Sequence, residues 1–422
     1  MLKEQTPPST PPISLIPPEV LFVPVIGPRL SCGPWILGGP WLFGQVCSHW
    51  RALSHASPTL WTSITVFATL TQRELILLNT QLARTGAAPL DVHIRFTYIS
   101  MSSRQFDVFL TTLVSHSARW RALHLQFDAN QPPHHTFSAL GPGTLPILEK
   151  LGFSGNGFYH LEKYDFFEDA PALRRVVLGA RGMSSVSRIT LPWARLTTYK
   201  ATYRDAASHF RNLANAANLV DADLDCGEDG PCDDIMLHST LTLPRLRRLA
   251  VSHPELLKRL FAPALQSLYV VGSIEDVPDF LHRSGCTSKL AELTLAECAA
   301  PKEEIISLLH QTRGLTKLAL DLHSLPTDIV AALRAPECLC PNLGSLLWAD
   351  FDDELDRKAF ADMVLSRCRD STSVRRLYFV ALYAGRRRMK TAGLPLRSFQ
   401  GLQVLFVNAK IGRSLVAGWR GY

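Results

Sequence analysis

Most sequence signatures of catalysis are missing from this chain. It has no G-x-G-x-x-G turn or Walker loop for nucleotide phosphates, no H-E-x-x-H pair for zinc, no G-x-S-x-G nucleophile turn and no protein-kinase set. Its fourteen histidines have no recurrent partner. Residues distant in sequence can still assemble a site, but these absences favour a binding protein over an enzyme. We therefore expect no catalytic residue and no cofactor.

Metal-binding patterns are also missing. The acidic stretch 221–234 has calcium-loop composition, but its sixth and twelfth positions are Cys226 and Cys232 instead of glycine and glutamate. Neither Cys226 with Cys232 nor Cys338 with Cys340 forms the C-x-x-C pair with nearby histidines that zinc requires. We expect no bound metal and interpret the acidic stretch as a solvated loop.

Long apolar runs are absent as well. No uncharged stretch approaches the ~20 apolar residues of a membrane span, and the first residues lack a charged-then-apolar leader. Nine cysteines without regular spacing favour reduced thiols. The net charge of +7 is a small excess, and the basic run 385–390 is typical of a solvated loop, so no nucleic-acid partner is expected. We expect a protein of the cytoplasm or nucleus with no membrane partner.

One short apolar pattern recurs over most of the chain. An apolar residue is followed by a second three places later and by a third two places beyond that. The clear copies begin at Leu148, Leu173, Leu246, Leu265, Leu290, Leu315, Leu343, Val374 and Leu402, with degraded copies at Leu196 and Leu219 and an earlier one at Trp120. From Leu148 on, successive copies start between 19 residues (Leu246 to Leu265) and 31 residues (Leu343 to Val374) apart, the range of leucine-rich repeats.

The pattern predicts a fold. In an extended segment the second and third apolar residues point to one face, which a single strand cannot bury, so successive copies must stack into a parallel sheet. Helical patterns at 206–218, 254–261, 301–311 and 353–368 separate the strands. We expect an α/β fold, namely a leucine-rich-repeat-like curved solenoid with a parallel sheet. A doubly wound sheet is the rival, but its glycine-rich first turn is missing.

The N-terminal region has a different pattern. Residues 1–12 are rich in proline, serine and threonine, which predicts a disordered tail. Next come Leu15-Ile-Pro-Pro-Glu-Val-Leu21 and, after a gap, an aromatic block over 41–53. In that block Phe43, Val46, Cys47, Trp50 and Leu53 follow helical spacing, which predicts one amphipathic helix ending near Pro58.

These blocks, together with Pro58-Thr-Leu-Trp61, resemble the F-box motif in the form found in large fungal families of F-box proteins with leucine-rich repeats. The resemblance covers residues 13–64 directly and the repeats more loosely. It implies a small helical F-box-like cap that docks on the adaptor subunit of a cullin-type SCF ubiquitin ligase, and repeats that hold a target protein. The implied adaptor-binding residues are Ile16, Pro17, Pro18, Val20, Leu21, Val46, Cys47, Trp50 and Leu53.

The segment 22–40 departs from that family, because its prolines and glycines make a continuous first helix costly, about 3 kcal/mol for each internal proline. A second hypothesis is therefore kept. In it, residues 13–64 only cap the open end of the solenoid, and the chain is a non-enzymatic scaffold without a ligase link. The predicted domains are a disordered tail (1–12), an F-box-like helical domain (13–64) and a solenoid (65–422).

The exposed face of the predicted sheet supplies candidates for target binding. If each strand buries its second and third pattern residues, the residues two and four places after the first point outward. The first set is Lys150, Arg175, Arg248, Ser267, Glu292, Lys317, Ser345 and Arg376. The second set is Val177, Tyr269, Thr294, Leu347, Tyr378 and Phe406.

A basic row beside a partly aromatic one suits an acidic or phosphorylated segment, because arginine holds carboxylate or phosphate through two donors. The alternative is an ordinary solvated strand face. The predicted target-binding residues are Lys150, Arg175, Arg248, Tyr269, Lys317, Arg376 and Tyr378.

Overall fold

The structure is a computed structural model. It describes residues 40–67, 72–96, 104–127, 140–141, 143–155, 165–179, 190–203, 206–226, 240–322, 327–336, 338–350, 357–368, 374–375, 377–384 and 403–408. The chain divides into two compact units, Met1–Gln126 with Pro133–Leu148 and Phe127–Pro132 with Glu149–Tyr422.

The first unit alternates helices and strands. Its elements are α1 (Pro40–Val46), α2 (Ser48–Ala56), β1 (Ser63–Phe67), α3 (Gln72–Arg84), β2 (Leu90–Phe96), α4 (Arg104–Val114) and β3 (Trp120–Phe127), with 3-10 turns at Pro58–Trp61 and Ser117–Arg119. The strands lie in the order β1-β2-β3, and β1 runs parallel to β2. Ile64, Val92 and Leu123 are buried, so each of the three strands has an apolar side chain out of solvent.

The second unit contains a long parallel sheet. Its strands are β4 (Lys150–Gly155), β5 (Arg175–Gly179), β6 (Thr198–Thr202), β7 (Asp221–Asp225), β8 (Leu241–Thr242), β9 (Arg248–Val251), β10 (Leu260–Phe261), β11 (Ser267–Val271), β12 (Glu292–Cys298), β13 (Lys317–Leu322), β14 (Ser345–Asp350), β15 (Phe379–Ala384) and β16 (Gln403–Asn408). The sheet order is β4-β5-β6-β7-β9-β11-β12-β13-β14-β15-β16, and every neighbouring pair is parallel. The short strands β8 and β10 pair separately. The α/β class and the parallel sheet are confirmed.

Helices connect several of these strands. They are α5 (Ala206–Leu213), α6 (Val277–Ser284), α7 (Lys302–Gln311), α8 (Thr327–Ala332) and α9 (Arg357–Cys368). The helical pattern predicted at 254–261 is instead a 3-10 helix, Pro254–Arg259, that leads directly into β10. The sequence pattern did not predict the helices α6 and α8. Both are short, and α6 has a proline in its first turn.

The repeated leucines have the role that the pattern predicts. In the copies from Leu148 to Leu343, the first residue, for example Leu265, Leu290 or Leu315, is fully buried. Its N–H bonds a carbonyl three or four residues earlier, as in Leu315 N to Thr312 O (3.2 Å), and so closes the turn before the strand. The second and third residues, such as Leu318 and Leu320, are also fully buried. One strand therefore contributes three apolar side chains to the core.

A repeated pair of backbone hydrogen bonds aligns the copies. The carbonyl of Gln266 accepts from Ala291 N (2.8 Å) and from Glu292 N (3.0 Å). An equivalent pair of bonds joins each neighbouring strand from β4 to β15. Because the same backbone atoms pair at every step, equivalent side chains form rows across the sheet.

The strand β15 begins three residues later than the pattern predicts. Ser345 pairs with Phe379 and Leu346 with Val380, so the aligned copy is Leu377-x-x-Val380-x-Leu382. The predicted copy at Val374 is therefore wrong. Both registers offer apolar residues, but the Tyr378 and Phe379 N–H groups bond the Gly344 carbonyl and so determine the register.

The strand β16 is also shifted from its predicted copy at Leu402. Its Val404 pairs with Val380, and its Phe406 pairs with Leu382. Phe406 thus occupies the register position of the third residue of each copy, whereas the sequence pattern assigns it to the position one residue earlier. The pattern is ambiguous there because apolar residues occupy consecutive positions 404–407.

The middle strands are buried on both faces. Thr294, Leu347 and Ser345, which were predicted to point into solvent, are 6%, 1% and 4% exposed. Leu347 belongs to a second apolar cluster with Ala296, Ala319 and Ala349, against which Tyr269, Val271 and Phe379 pack. The prediction failed because the alanines on this face let larger neighbours close over it.

Candidate functional site

The first candidate surface is the helix pair α1–α2. The sequence predicts one helix over this region, but the backbone is extended at Cys47 (φ −159°, ψ 172°), and two helices result. The Cys47 thiol accepts a hydrogen bond from Trp50 N at 3.5 Å and caps the second helix. Arg51 Nε donates to Gly44 O at 2.7 Å and ties the two helices together. The prediction of a single helix is therefore wrong.

A tryptophan anchor attaches this pair to α3. Trp61 is 1% exposed, and its indole N–H donates to Ser54 O at 2.8 Å. The Trp41 ring meets it edge-on, with centroids 4.9 Å apart, and the Arg84 guanidinium lies 4.3 Å from the Trp61 ring centroid. Gln81 Nε2 donates to Trp61 O at 2.9 Å. The anchor uses one side of the pair and leaves other apolar residues outside the core.

Five apolar residues of the helix pair are exposed or half-buried, and we call them the N-terminal apolar patch: Leu42, Phe43, Val46, Trp50 and Leu53. Val46 is 53% exposed and Leu42 is 44% exposed. Phe43, Trp50 and Leu53 are half-buried, and the Phe43 and Trp50 rings meet edge-on at 5.7 Å.

The predicted adaptor-binding residues divide into two groups. Val46, Cys47, Trp50 and Leu53 lie together on the helix pair, where Cys47 is exposed and caps α2. The other five, Ile16, Pro17, Pro18, Val20 and Leu21, lie outside the described residues. Leu42 is not among the residues that the F-box resemblance implies, although it is an exposed apolar side chain like Val46.

The second candidate surface is the row of residues two places after each first leucine. It runs Lys150, Arg175, Thr198, Asp221, Arg248, Ser267, Glu292, Lys317, Ser345 and Phe379. Lys150, Arg175 and Arg248 are exposed, as predicted, and Lys317 is half-buried.

The structure adds acidic neighbours to this row. Arg248 Nη2 lies 3.1 Å from Asp221 Oδ2, whose side chain is only 11% exposed. Lys317 forms an ion pair with Glu292. The row is therefore partly neutralised, and Arg175 and Lys150 are the members with no ion pair among the described residues. Sequence reasoning missed Asp221 because the acidic stretch was interpreted as a loop, whereas Asp221–Asp225 is strand β7.

The predicted aromatic row differs more from expectation. Tyr269 is half-buried and packs against the second apolar cluster. Tyr378 is 45% exposed, but the register shift removes it from the aromatic row and places it one residue before the row that contains Ser345 and Phe379. The Arg375 guanidinium lies 5.7 Å from its ring centroid. Phe379 occupies the row position that was assigned to Arg376, and Arg376 lies outside the described residues.

Two arginine pairs lie at the beginning of the strands. Arg174 and Arg175 precede and begin β5, Arg247 and Arg248 precede and begin β9, and all four are exposed. The Arg174 guanidinium is oriented by bonds from Nη1 to Pro171 O (3.0 Å) and Leu173 O (2.9 Å). The repeat pattern could have identified both pairs, since Arg174 and Arg247 immediately follow their first leucines.

Buried titratable groups occur elsewhere and have structural partners. Arg367 on α9 is 1% exposed, and burial lowers its pKa. Burial raises the pKa of the nearby Cys340 thiol to about 12, which makes it a weak nucleophile. In the first unit the His93 and His124 rings meet edge-on with their centroids 4.4 Å apart, and desolvation, followed by Coulombic repulsion from His93, lowers the pKa of His124 to about 4.

The described residues hold no group of three or more histidines, cysteines or acids that could bind a metal ion. Among the same residues, no helix is both long enough and apolar enough to cross a membrane. A comparison with protein-family models and with curated protein sequences found no match.

Proposed function

We propose that this chain is a substrate-recognition subunit of a cullin-type SCF ubiquitin ligase. In this proposal residues 13–64 are an F-box that binds the adaptor subunit of the ligase. The repeats form a leucine-rich-repeat-like curved solenoid that holds the target protein. Other subunits transfer ubiquitin, so the chain itself is not an enzyme, and it acts in the cytoplasm or nucleus.

The observation that carries the proposal is the N-terminal apolar patch. Five apolar side chains on two short helices remain at least partly exposed, although the same helices bury Trp61 and Ser54 in their anchor. An apolar patch with polar surroundings is typical of an interaction site. The matching residues Val46, Cys47, Trp50 and Leu53 are those that the F-box resemblance assigns to the adaptor.

The exposed rows of the second unit support the other half of the proposal. A rigid sheet with solvated arginines at one end offers a surface that can hold a protein segment. Buried leucines hold the backbone of each strand in place, so the exposed side chains of neighbouring strands keep a constant spacing. This arrangement suits recognition of one target surface.

A second candidate function is a repeat scaffold whose N-terminal helices only cap it. The anchor favours this candidate, because the contacts of Trp41, Trp61 and Arg84 attach the helix pair to α3. Half-burial of Trp50 and Leu53 would then serve packing alone. The two functions differ in whether the exposed side of the pair has a partner.

Co-purification with the purified adaptor subunit tests the proposal. Val46→Asp places a charge on the most exposed side chain of the patch without touching the anchor, and we expect it to abolish adaptor binding. The Trp50→Ala and Leu53→Ala double variant should have the same effect. Ile76→Asp is the matched control, since Ile76 on α3 is 58% exposed and belongs to no proposed surface.

Wild-type chain and the Ile76→Asp variant should retain the adaptor equally. If the Val46→Asp chain also retains it, or if wild type does not bind, the ligase proposal is wrong and the scaffold function stands. Circular dichroism of each variant shows whether folding is intact, so a loss of binding by unfolding can be recognised.

A further inference from the structure

The two arginine pairs are separated by a fixed distance. Arg175 aligns with Thr198, Thr198 with Asp221, and Asp221 with Arg248. Three steps across a parallel sheet, at about 4.8 Å each, give about 14 Å between the two pairs. An extended peptide advances about 3.4 Å per residue, so side chains four residues apart are separated by nearly the same distance and lie on the same side.

The side chains between the pairs are not basic. Thr198 supplies a hydroxyl, and Asp221 is 8% exposed and held by Arg248 Nη2 at 3.1 Å. A second negative charge directly above Asp221 would be repelled. Along this row the cation of Arg175 is therefore followed by a neutral residue and an acidic one, and then by the cation of Arg248.

We propose that this row binds an extended acidic segment of the target protein, with one carboxylate at Arg175 and a second, four residues away, at Arg248. The inference rests on the proposed role of the repeat face in target binding and adds the chemistry of the target. The residue midway between the acids lies above Thr198 and Asp221, so it is uncharged. Serine or threonine fits there, because its hydroxyl can donate to a carboxylate.

Carboxylates fit this row better than phosphates. A phosphorylated side chain carries nearly two negative charges, and Asp221 lies beside one of the two binding positions. A singly charged carboxylate matches the planar guanidinium through two donors with less repulsion from Asp221.

Fluorescence anisotropy with defined nonapeptides tests the spacing. The probes carry two glutamates four residues apart, two adjacent glutamates, two glutamates with a third midway, or two phosphoserines four residues apart. We expect the first probe to bind wild-type chain most tightly, and higher salt to weaken it, because exposed charges are screened. Equal binding of the adjacent-acid probe, tighter binding of the phosphoserine probe, or no binding of any probe overturns the proposal.

Charge-reversal variants locate the binding position. Arg175→Glu should weaken the best probe by at least about fivefold, since it converts an attractive pair into a repulsive one. Arg211→Glu changes the net charge equally, and Arg211 is exposed on α5. It should leave affinity unchanged. An equal loss in both variants would mean that net charge alone attracts the peptide, and the proposal fails.

A charge-swapped peptide separates a lost contact from a lost fold. A probe with lysine in place of one glutamate should bind the Arg175→Glu variant more tightly than it binds wild type. The absence of that rescue contradicts the placement at Arg175. If these peptides fail while the adaptor binds, only the target chemistry is wrong; if the peptides bind while the adaptor does not, the ligase link fails and the row keeps its assignment.

Discussion

Substitution of Arg367 tests whether its side chain attaches α9 to the turns that precede β14. Its guanidinium is 1% exposed and donates to three backbone carbonyls, Leu333 O at 3.0 Å, Cys340 O at 2.6 Å and Leu343 O at 3.4 Å. Leu343 begins the copy that continues into β14. The side chain therefore joins one helix to the turns on either side of Cys340.

Arg367→Met keeps the aliphatic volume and removes every donor. The carbonyls of Leu333 and Leu343 would lose this charged donor at about 1 kcal/mol or more each, whereas Cys340 O would keep its bond from Leu343 N at 3.1 Å, so the loss of unfolding free energy should be about 2 kcal/mol. Arg367→Lys retains up to three donors on one nitrogen and should lose less. Arg211→Met removes an exposed arginine of the same unit and should change stability by under about 0.5 kcal/mol.

The assay is native-state hydrogen exchange, because two compact units need not unfold together. The amides of β14 and α9 should lose protection in Arg367→Met by the stated free energy, while those of β1 and β2 should not change. Protection of β14 equal to wild type in Arg367→Met would refute the reasoning, since it would mean that the carbonyls do not need the guanidinium.

Three further predictions concern the core, pH and the shifted strand. Leu318→Ala removes a fully buried repeat leucine and should lower the unfolding free energy of the second unit by about 2–5 kcal/mol in urea titration, whereas Ile76→Ala at a 58% exposed site should have little effect. The pKa of His124 is about 4 in the folded chain against an ordinary 6.5, so the unfolded chain binds more protons between these two pH values. The stability of the first unit should therefore fall as the pH drops from 6.5 to 4. In thermal melts, His124→Gln should make the melting temperature less dependent on pH over this range. Gly344→Ala would bring a Cβ within 2.4 Å of the Tyr378 ring, so the tyrosine should leave its place, seen as a change in its fluorescence or ring NMR signals; an unchanged signal would contradict the register of β15.

The leucine pattern predicted the parallel sheet because the burial of three apolar side chains in each copy stabilises a short strand more than its other residues destabilise it. The same pattern misplaced β15, since Val374 and Leu377 are both apolar and buried and only the bonds to Gly344 O select the register. Local composition also misled at β7. Three aspartates in five residues oppose a strand, but Leu224 is fully buried and Arg248 neutralises Asp221.

The candidate surfaces were predicted in part for a related reason. Sequence periodicity locates a residue on a face, and it identified Lys150, Arg175 and Arg248 as exposed. It gives no information on cross-strand partners, so the ion pairs to Asp221 and Glu292 were not expected. The sequence also did not predict the extended backbone at Cys47. The apolar residues on both sides of Cys47 keep helical spacing, so the pattern does not distinguish one continuous helix from two helices separated by a capping residue.

The central claim is that exposed and buried side chains alternate along the repeat strands. Cysteine labelling tests this claim most directly. Cysteines introduced singly in place of Lys150, Arg175 and Arg248 should react with maleimide within the native chain. Cysteines replacing their neighbours Leu151, Val176 and Leu249, all buried, should stay unlabelled until denaturant is added. Site-resolved mass spectrometry separates these from the natural cysteines, of which Cys47 is exposed. Equal labelling of both sets in the native chain would contradict the account.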